Sequence, residues 1–403
     1  MNPGPPARTT LRPRGRAILG GVKVALLSDC YLPRLGGIEV QVHDLARHLQ
    51  AAGHEVEVFT ATIGPEHLRI GTDWLDGIPV HRLAITLPKD FPINPFAPRT
   101  LRHMLQAGRF DVGHAHMGIV SPFAMDCVRV TQGLGLPTAV TWHSVHGNST
   151  DWIGATGYVR RWGARGAALS AVSTVAAAPI QRMAGPGYPV HLMPNGIQAS
   201  DWEPGAREDD GVLRVVSAMR LVWRKRPLAL LELMEEVRRR VPERDVRLEI
   251  LGDGKLRPRL EQRVAELGAG DWFSAPGRMT REQLREHYLA SDVYISPGTF
   301  EAFGIAALEA RTTGLPVVAP RRSGVSTFIE HGVNGLLAGD DLAMVEALVR
   351  LATDDRLRHR ITEHNTAHPP IESWPSVVEL VIAEYQRAQE LERRRRAMAL
   401  TGS

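Results

Sequence analysis

The sequence is poor in the features that mark secreted, membrane-spanning or zinc-binding proteins. It has two cysteines in 403 residues, Cys30 and Cys127, and their spacing matches no metal-binding motif. A disulfide framework is therefore not indicated, and a reducing compartment is expected. No apolar run approaches the roughly 20 residues that span a bilayer. Residues 1–20 are rich in Pro, Arg and Gly and lack the apolar core of a signal peptide, so we expect a disordered basic tail and a cytoplasmic protein.

Several motifs that bind phosphates or metal ions are also missing. The chain has no G-x-G-x-x-G sequence, no Walker A sequence and no serine-nucleophile motif. It has no Asp-x-Asp in a loop between strands, which a diphosphate site bridged by Mg²⁺ would usually need. We therefore expect no metal ion and no cofactor.

The charge of the chain is close to balanced. Lys and Arg number 48 and Asp and Glu 44, for a formal net charge of +4. A nucleic-acid-binding protein would show a larger, clustered excess, so we expect no nucleic-acid partner. The run Arg393–Arg396 favours a solvated helix end, since cations are favourable there. Contact of this run with anionic lipid, as a peripheral membrane protein, is the alternative.

Short apolar runs alternate with helical patterns along most of the chain. The first run is Val22–Ser28, and the amphipathic segment Ile38–Ala52 follows it. Such alternation predicts doubly wound α/β sheets. Pro194–Asp210 is rich in Pro, Gly and acidic residues and lacks periodicity, which predicts a domain boundary. The expected parts are a tail over 1–20, a Rossmann-like N-terminal domain over 21–195, a Rossmann-like C-terminal domain over 196–370, and a final helical segment over 371–403.

The stretch Val293–Glu309 carries the clearest signal for a ligand. Val293–Ser296 predicts a buried strand, Leu315–Ala319 predicts the next one, and a helix is expected to begin near Phe303. A helix N-terminus favours anions, and glycines in the preceding loop let the backbone approach a ligand. Glu301 and Glu309 bracket this turn. Carboxylates beside an anion site suit a ligand with both phosphates and hydroxyls, such as a sugar nucleotide, although a hydrolase carboxylate pair is a second interpretation.

Two further segments fit an anionic ligand on spacing alone. Gly36 and Gly37 follow the first strand, where they indicate either a tight turn or close approach to phosphate. Arg220 and Lys225 follow the strand Leu213–Ser217, where two cations could grip a diphosphate. A solvated basic turn is the simpler interpretation of the second pair.

Four histidines could form a metal site. His114 and His116 share a predicted strand, and His143 and His146 lie in a loop after another, but no cysteine or carboxylate completes a zinc set at standard spacing. His143 lies just past a strand end, where ligands of open α/β sheets gather. A hydrogen-bonded structural histidine is the simpler interpretation of this position.

Together these segments resemble the GT4-like family of retaining, nucleotide-sugar-dependent glycosyltransferases. Glu301–Glu309 (EAFGIAALE) is similar to the family's E-x7-E motif, with the usual aromatic residue and glycine after the first glutamate. The supporting motifs are Gly36-Gly37, Asp111–His116 (DVGHAH), Thr141–His143 (TWH), Pro194–Ile197 (PNGI), Arg220 with Lys225, and Leu251–Gly254 (LGDG). The resemblance covers nearly the whole chain.

The resemblance implies the GT-B fold, with two Rossmann-like domains facing across a cleft and a C-terminal helix that returns to the N-terminal domain. It implies transfer of a hexose-type sugar from GDP-mannose or a UDP-sugar to an acceptor hydroxyl, with retention and without a metal ion. The acceptor stays open. Leu87–Pro98 and Val145–Tyr158 are the loops expected to shape its site.

Residue roles follow from the resemblance position by position. Glu301 would hold hydroxyls of the donor sugar and Glu309 the ribose, while Arg220 and Lys225 would neutralise the diphosphate. His143 would contact the sugar near the reacting carbon. The remaining donor-binding positions are Gly36 and Gly37 beside the phosphates, Phe303, Gly304 and Ile305 at the sugar and phosphate, and Arg278 and Met279 near the base.

Two departures from the family pattern put the shape of one loop in question. Met219 stands where glycine is common, and Arg226-Pro227 follows Lys225 where Lys-Gly is commoner. Two alternatives to transfer stay open at this point. A non-hydrolysing sugar-nucleotide epimerase has a similar fold, and a non-catalytic protein could bind the same ligand.

Overall fold

The computed structural model describes residues 21–34, 36–85, 94–145, 156–205 and 210–401. The expected tail over residues 1–20 lies outside this range, as do most of the two loops expected near the acceptor. Within it the chain forms two sheets in sequence, each covered by helices. The expectation of two doubly wound α/β units is therefore confirmed.

The first sheet has eight strands in the order β3-β4-β2-β1-β5-β6-β7-β8. The strands are β1 Lys23–Ser28, β2 Glu55–Thr60, β3 Ile70–Leu75, β4 Ile78–Leu83, β5 Val112–Met117, β6 Thr138–Trp142, β7 Ala168–Ala171 and β8 Val190–Leu192. All pairs are parallel except β3 with β4, which form an antiparallel hairpin at the edge. The sequence analysis missed β3 because its side chains are largely exposed and carry no buried apolar face.

The second sheet has six strands in the order β11-β10-β9-β12-β13-β14, all parallel. The strands are β9 Val212–Ala218, β10 Asp245–Leu251, β11 Phe273–Gly277, β12 Val293–Ile295, β13 Val317–Pro320 and β14 Gly335–Ala338. The strand predicted over Leu315–Ala319 is β13, shifted by one to two residues. Strand β14 was missed because its four residues are too few to show a strand pattern by themselves.

Helices lie between most of the strands. They are α1 Gly37–Ala51, α2 Ala97–Gly108, α3 Pro122–Leu134, α4 Tyr158–Ala164, α5 Thr174–Ala184, α6 Pro227–Arg240, α7 Arg257–Glu266, α8 Arg281–Leu289, α9 Ile305–Thr312, α10 Asp341–Thr353, α11 Asp355–Ala367 and α12 Trp374–Thr401. Gly324–Thr327 forms a single 3₁₀ turn. Helix α11 was missed because its large apolar side chains, Leu357 and Ile361, are too few to give a clear helical period.

The last helix returns to the first sheet, as the sequence analysis expected. Val377 and Tyr385 of α12 belong to one apolar cluster with Val24 of β1 and Val42 of α1. Trp374, at the start of α12, is 3% exposed and stacks on His48 with 4.7 Å between ring centroids. This contact fixes the helix to the N-terminal half of the chain.

The chain crosses between the two halves twice, and the two crossings are bonded to each other. The backbone N–H of Ile197 donates to the carbonyl of Glu372, and that of Trp374 donates back to the carbonyl of Ile197. Gln41 of α1 holds both the N–H and the carbonyl of Gly196. A side chain on Gly196 would lie 2.5 Å from the Trp374 ring, so glycine is required there. Paired crossings of this kind form a compact hinge.

The arginine run near the C-terminus is engaged within its own helix. Arg395 and Arg396 each bind Glu392, and Arg396 also donates to the carbonyl of Gly135. Arg393 and Arg394 pair with Glu390 one turn earlier. These contacts place the run in an intrachain network of ion pairs and hydrogen bonds. Separately, none of the helices in the described residues is both long and apolar enough to cross a bilayer.

Candidate active site

A cleft between the two halves holds a cavity of about 390 Å³. The first half contributes Gly36, Gly37 and His143, which follow β1 and β6. The second half contributes Arg220 and Lys225 after β9 and the turn that joins β12 to α9. The cavity therefore gathers most of the predicted site: Gly36, Gly37, His143, Arg220, Lys225, Glu301, Phe303, Gly304 and Ile305.

The turn between β12 and α9 forms one wall. Helix α9 begins at Ile305, two residues later than predicted, because Gly304 precedes it in a left-handed conformation with φ of +93°. A side chain at Gly304 would also lie 2.5 Å from Val325. Glycine therefore lets the backbone turn sharply and aim the first N–H groups of the helix at the cavity.

Gly324, which sequence reasoning missed, supports the loop that carries Glu301. Its N–H donates to the carbonyl of Glu301 at 2.7 Å, and a Cβ at this position would lie 2.1 Å from the carbonyl oxygen of Ala302. Gly324 thus allows the 3₁₀ turn to press directly against the loop. The signal in the sequence is slight, a single Ser-Gly pair after β13.

Lys225 and Glu301 form an ion pair at the centre of the cavity wall. The lysine side chain is 31% exposed and the glutamate 17%, so both remain within reach of a ligand. The resemblance assigned them to different parts of the donor, and the structure pairs them with each other. The pair places an ammonium group and a carboxylate close to the N-terminus of helix α9.

The loop that carries Arg220 is held by backbone contacts from the Leu251–Gly254 motif. The neighbouring Met219 donates its N–H to the carbonyl of Leu251. A Cβ on Gly252 would lie 2.0 Å from the carbonyl oxygen of Met219, and one on Gly254 would lie 2.5 Å from that of Leu221. The two glycines therefore serve the loop that presents Arg220, and Met219 is accommodated in that loop.

The second departure from the family pattern also has a structural account. Arg226 adopts a left-handed conformation with φ of +58°, which glycine would adopt more easily. Its guanidinium forms two hydrogen bonds to Asp341, at 2.8 and 2.6 Å, where α10 begins. This bidentate contact stabilises the strained residue and fixes the turn that carries Lys225.

On the opposite wall, Gly37 is the first residue of α1. A Cβ built there would meet no atom within 4 Å, so its backbone is open to the cavity. His143 follows β6, and its Nε2 lies 3.0 Å from Nδ1 of His116. Burial lowers the pKa of His143 to about 4, so this imidazole is neutral near pH 7.

The histidines do not assemble a metal site among the residues that the structure describes. Both ring nitrogens of His114 are hydrogen-bonded, to the hydroxyls of Tyr385 and Thr141. His146 lies outside the described residues. The expectation that the protein uses no metal ion stays a prediction.

Three predicted donor-binding residues lie beside the cavity rather than in it. Arg278 and Met279 line an adjoining groove of about 750 Å³ that shares Arg220 with the cavity. Glu309 lines neither space. Glu309 is half-buried on α9, and loss of solvation raises the pKa of its carboxyl to about 8, with Arg281 acting in the opposite direction.

Sequence reasoning missed the ion pair that joins the two halves close to Glu309. Arg281, the first residue of α8, donates to Asp44 of α1 at 2.6 Å. Both residues influence the pKa of Glu309, Arg281 lowering it and Asp44 raising it. The two partners lie 237 positions apart, so no local pattern could have paired them.

The pKa of Glu309 leads to a prediction for stability. Its folded-state pKa of about 8 exceeds the ordinary value of 4.5, so the folded protein loses stability as pH rises through this interval. Glu309→Gln should therefore match the wild type below pH 4.5 and exceed it increasingly up to pH 8, by on the order of a few kcal/mol. Melting temperatures measured from pH 4 to 9 test this. Glu390→Gln, at an exposed glutamate, is the control and should give no stabilisation.

Two family models match consecutive parts of the chain, and the two matches meet near the hinge. Residues 35–201 match the family described as Glycosyltransferase Family 4, and residues 199–368 match Glycosyl transferases group 1. Together they cover residues 35–368, which include every strand of the two sheets except β1.

Named relatives are similar over most of their length. The chain is 29% identical over 333 residues to a D-inositol 3-phosphate glycosyltransferase of Pseudarthrobacter chlorophenolicus, covering 75% of this chain and 78% of the relative. It is 25% identical over 384 residues to a GDP-mannose-dependent alpha-mannosyltransferase of Mycobacterium tuberculosis, covering 91% and 97%.

Solved structures share the fold at lower identity. HepE of Anabaena, in complex with UDP and glucose, has a TM-score of 0.69 and 17% identity, covering 90% of this chain and 98% of its own. Sucrose-phosphate synthase of Thermosynechococcus elongatus has a TM-score of 0.69 and 20% identity, covering 91% and 98%. These similarities show the two-domain GT-B architecture.

Proposed function

Because the chain belongs to the GT4-like family of glycosyltransferases, we propose that it moves a hexose-type sugar from a nucleoside diphosphate sugar to an acceptor hydroxyl, with retention at the anomeric carbon and without a metal ion. One observation supports this best. Arg220, Lys225, Glu301 and the N-terminus of α9 converge on a single cavity between the two halves. That set combines anion-binding groups with a carboxylate suited to sugar hydroxyls.

The chemistry needs stabilisation of charge on the leaving group. As the bond to the anomeric carbon breaks, positive charge grows on the sugar and negative charge on the diphosphate. Preorganised cations and helix N–H groups stabilise such charge where it develops. Arg220, Lys225 and the first turn of α9 are the groups that would do so, in the role that a metal ion has elsewhere.

The ion pair between Lys225 and Glu301 suits this reaction. A bound donor would bring phosphate oxygens to the lysine and hydroxyl donors to the glutamate, so that each side chain exchanges one partner for another. Neither charge is then left buried without a partner, which would be costly. Their pairing holds both groups at the cavity wall.

The carboxylates of the cavity support front-face attack rather than a covalent intermediate. Among the described residues that line the cavity, the acidic ones are Glu39 and Glu301. Glu39 pairs with Arg34 at 3.4 Å and Glu301 pairs with Lys225. Glu39 would keep its partner Arg34, and the bound donor would engage Glu301 through sugar hydroxyls, so neither would be left as a free nucleophile, and the leaving phosphate would assist the incoming hydroxyl.

The hinge and the contact between Arg281 and Asp44 would allow the halves to close on the donor. Closure excludes water, which would otherwise hydrolyse the activated sugar. The two unpaired cysteines, Cys30 and Cys127, suit the reducing cytoplasm in which we place the reaction.

The donor can be found by thermal shift. GDP, UDP and ADP and their sugars should be tested at saturating concentration, where a ligand at 100 times its Kd stabilises by about 2.7 kcal/mol. We expect the nucleotides of one base to raise the melting temperature of the protein clearly more than the nucleotides of the other two bases. GDP-mannose and UDP-glucose come first, because relatives and neighbours are named with GDP-mannose or solved with UDP and glucose. The absence of any shift with all three bases would contradict the proposal.

Product analysis then separates transfer from its alternatives. A transferase releases nucleoside diphosphate in proportion to acceptor, an epimerase changes the sugar in donor alone, and a binding protein does neither. Inositol phosphates belong in the first acceptor screen, because a relative is named D-inositol 3-phosphate glycosyltransferase.

A further inference from the structure

His116 occupies a position behind the cavity that the proposed reaction leaves unexplained. It lies on β5, where alternate residues face the same side of the sheet, so His114 and His116 project together. In the parallel pairing of β5 with β6, His116 lies opposite Thr141, and the N–H of His143 donates to the carbonyl of Met117 at 2.8 Å. Strand register therefore fixes the backbone of His143 beside His116.

The two side chains are joined by a hydrogen bond within the protein interior. Nδ1 of His116 lies 3.0 Å from Nε2 of His143, and the His116 side chain is 2% exposed. Its other ring nitrogen, Nε2, has no hydrogen-bond partner among the described residues. Of the two nitrogens, then, only Nδ1 is engaged by the protein around it, and its partner is the histidine that lines the donor cavity.

The lack of a partner for Nε2 of His116 decides which of the two rings, His116 or His143, carries the proton of their shared hydrogen bond. If His143 donated from Nε2, then Nε2 of the neutral His116 would be a buried N–H without an acceptor. If His116 donates from Nδ1, its Nε2 is an unpaired acceptor instead, which proteins tolerate better than an unpaired donor. The second arrangement makes Nε2 of His143 an acceptor and leaves the proton of His143 on Nδ1.

A small cavity makes this hydrogen bond important for the position of the ring. A space of about 20 Å³ lies behind His143, lined by His116, Asn195 and Trp374 among others. His143 lines both this space and the donor cavity, so its ring forms the wall between them. His143 also has a side-chain hydrogen bond with Asn195, so without a partner at Nε2 the ring would be held on one side only and would have room to tilt about that contact.

We propose that His116 is a positioning residue for the transfer reaction, which donates from Nδ1 to Nε2 of His143 and so fixes both the tilt and the tautomer of the ring presented to the donor sugar. This inference rests on the proposed function for its kinetic consequence. Its structural part, the tautomer, stands independently of any activity.

The tautomer can be measured by ¹⁵N NMR of imidazole side chains in histidine-labelled protein. We expect His143 to carry its proton on Nδ1 in the wild type. His116→Asn should keep this state because its amide can donate from nearly the same place, whereas His116→Leu should shift His143 toward the Nε2–H form or a mixture. Tyr385→Phe, which removes the partner of the neighbouring His114, is the control and should leave the His143 signals unchanged. A wild-type proton on Nε2, or an unchanged spectrum in His116→Leu, would overturn the inference.

Kinetics test whether the contact matters for transfer. His116→Leu should lower kcat by about 10- to 100-fold with little change in the KM for donor, and His116→Asn should restore most of the loss. In a His143→Ala background, adding His116→Leu should lower kcat by less than about twofold further, because His116 acts through His143. An equal loss in both backgrounds would show that His116 contributes only general packing.

Failure of the proposed function and failure of the His116 inference can be distinguished. A wild type that binds and transfers no sugar contradicts the proposed function, while the NMR result still decides the His116 contact. Melting temperatures of every variant show whether the fold is kept. If His116→Leu does not fold, the comparison of wild type with His116→Asn still decides the tautomer, because a wild-type proton on Nε2 sinks the inference by itself.

Discussion

Alanine at Arg220 or at Lys225 is expected to lower kcat by about 10²- to 10³-fold while the protein stays folded. Both side chains line the donor cavity beside the N-terminus of α9. Their cations would stabilise charge that appears on the diphosphate only as the sugar leaves, so their loss raises the barrier more than it weakens ground-state binding. Lys225 is 31% exposed and its partner Glu301 17%, so we expect a modest loss of stability when Glu301 loses its partner, and the protein should stay folded.

Initial rates at saturating donor and acceptor, with melting temperatures as a check on folding, measure this effect. Arg259→Ala is the matched control, because it removes a cation that lies over the Trp223 ring near the same turn and does not line the cavity. We expect that variant to keep wild-type turnover. Near-wild-type kcat in both Arg220→Ala and Lys225→Ala would contradict the proposed role of the two cations.

Trp374→Ala should destabilise the protein by about 3–5 kcal/mol, the usual cost of truncating a buried aromatic side chain in a core. The indole is 3% exposed, stacks on His48, and lies against Gly196 in the hinge. Its removal leaves a cavity at the point where α12 meets the first sheet and where both crossings between the halves are bonded. Packing and the hinge are therefore weakened together.

Urea denaturation followed by circular dichroism gives the change in the free energy of unfolding. Trp223→Ala serves as the control, since that indole is 65% exposed and its loss should change stability by less than about 0.5 kcal/mol. If Trp374→Ala costs less than about 1 kcal/mol, the crossing is not held by this contact.

Local sequence was sufficient to predict those parts of the site that lie within a single segment of the chain. The turn between β12 and α9 was predictable because a buried strand, a glycine loop and a helix start lie within Val293–Glu309, and each has its own pattern. The alternation of strands and helices likewise predicted two doubly wound units. The helix start was off by two residues because a left-handed glycine delays it.

Contacts between segments that are far apart in the sequence could not be predicted from it. The ion pair of Lys225 with Glu301 and that of Arg281 with Asp44 depend on how the sheets and the halves meet, which no spacing records. The environment of Glu309 was missed for the same reason. Glycine motifs were also ambiguous, since Gly252 and Gly254 are required by backbone packing under Arg220 rather than by direct approach to a ligand.

The return of α12 to the first sheet has a consequence for how the protein is made. Strands β9–β14 are consecutive in the chain, so the second half can complete its sheet as soon as it leaves the ribosome. The first half cannot finish its core until Val377 and Tyr385 arrive, after the entire second half has been synthesised. The half that is translated first is thus completed last. Until then its apolar face is exposed on the nascent chain, and chaperones are most needed for chains with exposed apolar surface.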